Sequence, residues 1–378
     1  MKVYLDNSAT TRVYESACSK MTRVMLDNYG NPSALHTMGI DAEKELKNAR
    51  KEIAKQMGAR DDEIIFTSCG TESDNTAIIG AAHARKHSGK EIITTKVEHP
   101  AVLESCKRLE QEGYTVKYVG VDDMCRVDMD ELKAVITDQT TLVSIMTVNN
   151  ETGTIMPINE IRKLCPNAVL HTDAVQALGK VNLSALNADM ISVSGHKIHG
   201  PKGIGALYVK KGVKLPPFMV GGGQERGMRS GTENMPGICG FAEAARLSSE
   251  NFDERVIGME KVRNYLCQGL KEGLDDIRIN SPENGCCSVL NVSFLGTRGE
   301  VLLHTLEQDG IMVSTGSACS SGKKGFSHVL TAMGLSAKEI EGAIRFSFSE
   351  FNTIDEMDYV IDKVIAAVTR FRKLGSFR

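Results

Sequence analysis

The sequence predicts an α/β fold in which a mostly parallel sheet of seven strands is covered by helices, with a smaller α/β domain beside it. Three observations lead there. Seven short runs rich in β-branched residues recur along the chain: EIIFTS (63–68), EIITTK (91–96), TVKYVGV (115–121), TLVSIMTV (141–148), AVLHTD (168–173), MISVSG (190–195) and GALYVK (205–210). Segments with helical spacing lie between several of them. The runs are close to continuously apolar, as burial on both faces requires of a parallel strand.

Each element has its own warrant. In 41–57, Ala42, Leu46, Ala49, Ile53 and Met57 share one helix face, and Gly58 supplies a stop. The seven runs define a large domain over residues 15–255. Beyond it the pattern changes: VLNVSFLG (289–296), IMVST (311–315) and AIRFSFS (343–349) read as strands. Thr353 and Glu356 then form a T-x-x-E capping box ahead of an apolar-periodic run. Residues 1–14 plus 256–378 are expected to form the smaller domain, with a long helix around 240–270 carrying the chain across.

Composition narrows the function. The chain has 378 residues, 41% hydrophobic and 25% charged, with a formal net charge of −3. That balance argues against nucleic acid or an anionic membrane as the main partner. No apolar run is long enough to span a bilayer. The N-terminal MKVYLDNSATT does not read as a signal peptide, so a cytoplasmic location is expected. The ten cysteines then read as free thiols in a reducing compartment. No C-x-x-C occurs, and Cys286–Cys287 lacks His or Asp at ligand spacing, so no metal site is expected.

The chemistry concentrates at strand ends. Lys197 follows MISVSG in a turn of Ser, Gly and His; alone, it could be a solvated lysine. Asp173 ends AVLHTD, with Gln176 following, and could alternatively cap a helix. Together they match the needs of pyridoxal phosphate, which requires a Schiff-base lysine and a carboxylate against its ring nitrogen. FTSCGTESDN (66–75) runs from strand to helix through Gly70 and Thr71, which reads as a phosphate cup or as ordinary capping. His99, in EHPAVLES, can stack on a ring and shuttle protons, or cap the helix opening at Pro100. Asn149 sits at another strand end. The joint order of these signals carries more weight than any one of them.

Cys319 poses a separate question. It lies in STGSACSSGKKG (314–325), among small residues with almost nothing bulky to pack against. It reads either as an incidental loop thiol or as a nucleophile on a mobile arm.

The segments YLDNSATT, GNPSALH, TSCGTESDN, EHPAVLESC, SIMTVNNETG, HTDAVQALGK, SVSGHKIHGPKGIGALYV, GGGQERGMRSGTEN and STGSACSSG resemble the NifS/IscS-type cysteine desulfurases. These are fold-type I pyridoxal phosphate enzymes related to class V aminotransferases, and the resemblance covers nearly the whole chain. It implies conversion of L-cysteine to L-alanine, with Cys319 receiving the sulfur as a persulfide. It further implies that Lys197 forms the Schiff base, Asp173 partners the ring nitrogen and Gln176 donates to the ring hydroxyl. His99 would stack and act as acid/base. Thr71, Ser194 and His196 would hold the phosphate, with Gly70 in the cup. Thr232 would reach the cofactor of a second subunit, implying a homodimer. Arg345 would clamp the substrate carboxylate with Asn149 assisting.

Two departures stand out. The loop continues KKGFSHVL where many relatives carry a Leu-Glu-Pro step, and Cys69 occupies a cup position that is commonly Gly. Arg226 and Arg229 read as structural or phosphate-proximal. The implied acceptor of the sulfur is a protein, either an iron–sulfur scaffold or an enzyme of tRNA or thiamin thiolation. Two competing readings are a selenocysteine lyase or aminotransferase, and a non-catalytic sulfur-carrying scaffold. Cys319→Ser separates the first, since selenium release or transamination could survive it; cofactor absorbance separates the second.

Overall fold

The computed structural model describes residues 1–315 and 326–375. The first strand, β1 (Val3–Tyr4), lies outside the main sheet. Seven strands follow: β2 (Ile64–Thr67), β3 (Glu91–Thr95), β4 (Thr115–Val119), β5 (Thr140–Ser144), β6 (Val169–Asp173), β7 (Met190–Ser194) and β8 (Gly205–Val209). They form one sheet in the order β2-β8-β7-β6-β5-β3-β4, with β8 antiparallel to both neighbours and the rest parallel. All seven sequence runs are therefore strands of one sheet.

Successive side chains explain why those runs are apolar throughout. Ile93, Val143, Ile191 and Ala206 pack into one hydrophobic cluster, while their neighbours Ile92, Leu142, Met190 and Leu207 pack into another. A strand's residues alternate between faces, so a sheet covered on both sides needs apolar residues at every position. The helix Gly70–Ala84 covers one face with Ala77, Ile78, Ala81 and Ala82 buried. The helix Thr37–Gln56 buries Leu46, Ala49 and Ile53 in the other cluster, with Ala42 also buried, and Gly58 just beyond it has φ +60.

The C-terminal third builds a three-stranded antiparallel sheet and, with the chain start, a separate two-stranded parallel one. Strands β9 (Ile277–Ile279) and β10 (Val289–Phe294) pair with each other, β11 (Ile311–Met312) pairs in parallel with β1, and β12 (Ala343–Ser347) pairs with β10. A third hydrophobic cluster joins Val3 and Leu5 to Phe294, Phe346, Val360 and Val364. The helix Ile354–Lys373 opens with the expected capping box: Glu356 N–H donates to Thr353 Oγ1 at 3.3 Å, and Thr353 N–H to Glu356 Oε2 at 3.0 Å.

One expectation fails. The single helix around 240–270 is two helices, Met235–Ser249 and Phe252–Gly273. Asn251 between them has φ 49, a left-handed conformation that interrupts the i→i−4 ladder and that Asn adopts more readily than most residues.

Candidate active site

The parallel order sets the ends of β7, β6, β5 and β3 side by side, and the residues following them wall a cavity of about 200 Å³. Ligands in open α/β sheets bind at this carboxyl edge. Gly70, Thr71, His99, Asp173, Gln176, Ser194, His196, Lys197 and Arg345, all singled out in the sequence, line this one cavity. Gly70 is required by close approach: a Cβ there would lie 2.6 Å from Val175 Cγ2.

Lys197 follows β7 in a short 3₁₀ turn, and its Nζ donates to the carbonyls of Ser8 at 2.5 Å and Ala9 at 2.8 Å. Gln176 Nε2 donates to the same Ser8 carbonyl at 2.9 Å. Asp173, at the end of β6, accepts the Val175 N–H at 2.9 Å. Burial raises its carboxyl above the ordinary range, while the charges of His99 and Lys197 pull the other way.

His99 does both things the sequence allowed. Its Nδ1 accepts the Ala101 N–H at 3.1 Å, capping the helix Pro100–Gln111, and its ring also lines the cavity. Because Nδ1 is an acceptor, the neutral ring carries its proton on Nε2. Burial lowers its pKa, Asp173 opposes this, and Lys197 and His328 add to the lowering. His196 is lowered to about 4, first by burial and then by the charges of Lys197, Lys202 and Lys180.

Arg345 is buried on β12. Its Nη2 meets Asp6 Oδ1 at 2.9 Å and its Nη1 donates to the Asn150 carbonyl at 3.0 Å. Glu98 and Glu151 lie just behind the wall. Burial raises Glu98 to about 8 and Glu151 to about 7; the Thr95 hydroxyl and Met146 N–H offset part of the first, the Ser327 hydroxyl and Arg345 part of the second.

Two expected residues stand elsewhere. Asn149 is off the wall: its Oδ1 accepts the Glu151 and Thr152 N–H groups at 2.9 and 3.0 Å, and its Nδ2 donates to Val97 O. The amide that was expected to assist the substrate instead braces its own turn, and the neighbouring Asn150 faces the cavity. Thr232 is exposed on the loop before the helix Met235–Ser249. Arg229 pairs with Glu72 at 2.9 Å, and Arg226 donates to Ile64 O at 2.6 Å, so both are tied to protein partners. Cys69 lines the cavity, and Cys319 lies outside the described residues.

Sequence reasoning missed Ser8, Asp74 and Asn150. The N-terminal turn after β1 has no periodicity to reveal it, although its run of small polar residues, NSATT, was the available signal.

The cavity suits pyridoxal phosphate. Buried Ser194 Oγ, Gln176 Oε1, Ser8 Oγ and Arg345 Nε have no hydrogen-bond partner among the described residues, although all four residues line the cavity. Buried polar atoms are rarely left so, and these await a polar ligand. The helix Gly70–Ala84 begins at the cavity without a side-chain cap, leaving its leading end to receive an anion.

Comparison with known proteins agrees. The aminotransferase class-V family model matches residues 3–360. A cysteine desulfurase of Nostoc sp. is 45% identical over 381 residues, covering 100% of this chain and 95% of that protein. The cysteine desulfurase IscS of Clostridium botulinum is 42% identical over 381 residues, covering 99% and 96%. A solved NifS-like protein superposes with a TM-score of 0.92 at 41% identity, covering 98% of this chain and 100% of that one. With Lys197, Asp173, Gly70 and Thr71 lining one cavity, the chain belongs to the aminotransferase class-V family, among its cysteine desulfurases.

Proposed function

We infer that the protein is a pyridoxal phosphate-dependent cysteine desulfurase that takes sulfur from L-cysteine, releases alanine and passes the sulfur on. The observation that carries this is the placement of Lys197, Asp173, His99 and Arg345 around one cavity that also holds unpartnered buried polar atoms.

Bound in this cavity, the cofactor supplies an electron sink that weakens the bonds at the substrate α-carbon. Lys197 would anchor it and Asp173 would keep its ring nitrogen protonated. Gln176 would orient the ring, while Ser194, His196, Thr71 and the helix start at Gly70 would hold the phosphate. Arg345 offers a planar fork to the substrate carboxylate, and its Nε is unpartnered among the described residues. His99 holds a proton on Nε2 and, with its pKa lowered, is neutral near pH 7, so it would present an N–H donor to the cofactor and substrate. Taking up a proton would require Nδ1 to release the Ala101 N–H. Cys319 is the sulfur-accepting nucleophile of this proposal.

The finer points belong to the same reading. The cluster that joins Val3 and Leu5 to Val262, Phe294, Phe346 and Val360 draws only on the two ends of the chain, which supports a division into residues 15–255 and 1–14 plus 256–378. A homodimer is supported by exposed apolar residues on neighbouring segments: Met25, Leu26, Tyr29 and Leu35 near the chain start, and Phe218, Met219 and Val220 in the loop before Thr232. Pro32 and Ser33 share a groove with Gly222–Arg226, which connects the two groups. Thr232 would complete the partner's phosphate site. The acceptor is a protein of iron–sulfur assembly or of tRNA or thiamin thiolation. Among the described residues no helix is long and apolar enough to cross a membrane; a cytoplasmic location belongs to the same proposal.

The test is sulfur tracking. Incubation with ³⁵S-labelled L-cysteine should yield alanine and label on the protein that a reductant removes, and Cys319→Ser should abolish both. Alanine formed at an undiminished rate by the serine variant would sink the assignment of Cys319.

A further inference from the structure

Asp74 lines the cavity and has no part in the chemistry above. It projects from the helix Gly70–Ala84, is 1% exposed, and its Oδ1 has no hydrogen-bond partner among the described residues. Single ligand-type atoms of Asp74, Asp173 and His99 all lie within 4.8 Å of one another. Behind Asp74 a row of buried polar side chains crosses the sheet. Ser144 Oγ on β5 meets His171 Nδ1 on β6 at 2.8 Å, and His171 Nε2 meets Ser192 Oγ on β7 at 2.9 Å and stands 3.6 Å from Asp74 Oδ1.

The groups that act on the Asp74 carboxyl are other carboxyls, a hydroxyl and a thiol. Facing it are His171 and Asp173 from β6, Glu98 and His99 from the end of β3, and Cys69 just ahead of its own helix. Lys197, after β7, acts on Asp173. Burial lowers His171 to about 3, so it is neutral. Burial, then the Asp173 charge, raise Asp74 well above the carboxylate range, and the Ser192 hydroxyl offsets only part. Two desolvated carboxyls at this spacing do not both ionise, and they titrate as a unit.

We propose that Asp74 and Asp173 form a one-proton dyad, and that Asp74 is a positioning residue that lets this dyad protonate the cofactor's ring nitrogen from within. The inference rests on the pyridoxal phosphate assignment above. On loading, the dyad's O–H bond breaks and an N–H bond forms at the ring nitrogen, with no change of oxidation state. Two carboxylates then face one ring cation. The ring proton is thus held ready by the protein instead of being drawn from water through a closed site.

The experiment counts protons. Cofactor-stripped wild type and Asp74→Asn are titrated with pyridoxal phosphate by calorimetry at mildly alkaline pH, in two buffers of different ionisation enthalpy. The amide preserves the shape of the carboxyl but stores no proton, so the variant should take up about one proton more than wild type. Proton exchange at the phosphate and at Lys197 is common to both and cancels. Equal counts overturn the dyad, and a purely structural role for Asp74 would leave the counts equal. If the variant fails to fold, the infrared difference spectrum of wild type decides: loading should remove the C=O band of one protonated carboxyl, and its persistence overturns the proposal. Wild type that never binds the cofactor would instead overturn the cofactor assignment, and the dyad's role with it.

Discussion

Ser314 and Arg345 exchange two backbone hydrogen bonds, Ser314 N–H to Arg345 O at 3.1 Å and Arg345 N–H to Ser314 O at 2.7 Å. The strand that aims the guanidinium into the cavity therefore also anchors the chain five positions ahead of Cys319. The proposed substrate clamp is thus bonded directly to the last described stretch of chain before the proposed sulfur carrier. Arg345→Ala should raise KM for cysteine roughly 10- to 100-fold, the equivalent of losing hydrogen bonds to a charged group. Arg345→Lys should restore only part, because a point charge cannot replace the fork. Steady-state kinetics on cofactor-saturated protein decide; an unchanged KM in the alanine variant would remove Arg345 from the carboxylate site.

His99 combines a cap with a reactive edge, and two substitutions separate them. His99→Asn keeps a side-chain acceptor for the Ala101 N–H, whereas His99→Ala loses it. Both should lower kcat by about 10²- to 10⁴-fold if Nε2 moves protons. Only the alanine variant should also lose about 1 kcal/mol of stability in denaturant melts. Equal activity of wild type and asparagine variant would leave His99 with a capping role alone.

Glu98 gives stability a dependence on pH. Its carboxyl is raised from 4.5 to about 8 when buried, so the folded state keeps a proton that the unfolded chain releases. That contribution is fully present below about 4.5 and is lost as pH rises towards about 8. Glu98→Gln stays neutral and retains an oxygen for the Met146 N–H, at 3.1 Å in the wild type. The variant's midpoint should gain on wild type steadily from mildly acidic to mildly alkaline pH. Parallel stability curves would show that Glu98 titrates normally.

The break at Asn251 predicts an unusual tolerance. With φ 49 at this position, Asn251→Gly should be nearly neutral, while Asn251→Val should destabilise by about 1–2 kcal/mol. Thermal melts test this; a valine variant as stable as wild type would mean that the two helices can join into one.

Much of this was legible beforehand, for reasons tied to particular residues. The strands could be found because both faces of the sheet are buried, as at Ile92 and Ile93, so that burial is written into consecutive letters. Lys197 and Asp173 could be found because a strand end fixes where a side chain emerges. Asn149 was misplaced by one position for the same reason in reverse. Beyond β5 the chain turns within a few residues, and a turn can assign either of two adjacent amides to the cavity. Asp74 was hidden because a helix that is buried almost all round gives a polar residue no face on which to stand out. The N-terminal contacts to Lys197 span 189 and 188 positions of sequence, and no local pattern encodes so distant a pairing.

Those distant contacts set an order of assembly. Ser8 and Ala9 leave the ribosome early, yet β1 beside them is held by β11, and Asn7 donates to the Ser347 carbonyl at 2.9 Å. The carbonyls that hold the Lys197 amine are thus fixed only after the final third of the polypeptide has been synthesised. A growing chain that already contains Lys197 and Asp173 still lacks the clasp, which keeps the reactive amine unset until translation is nearly finished.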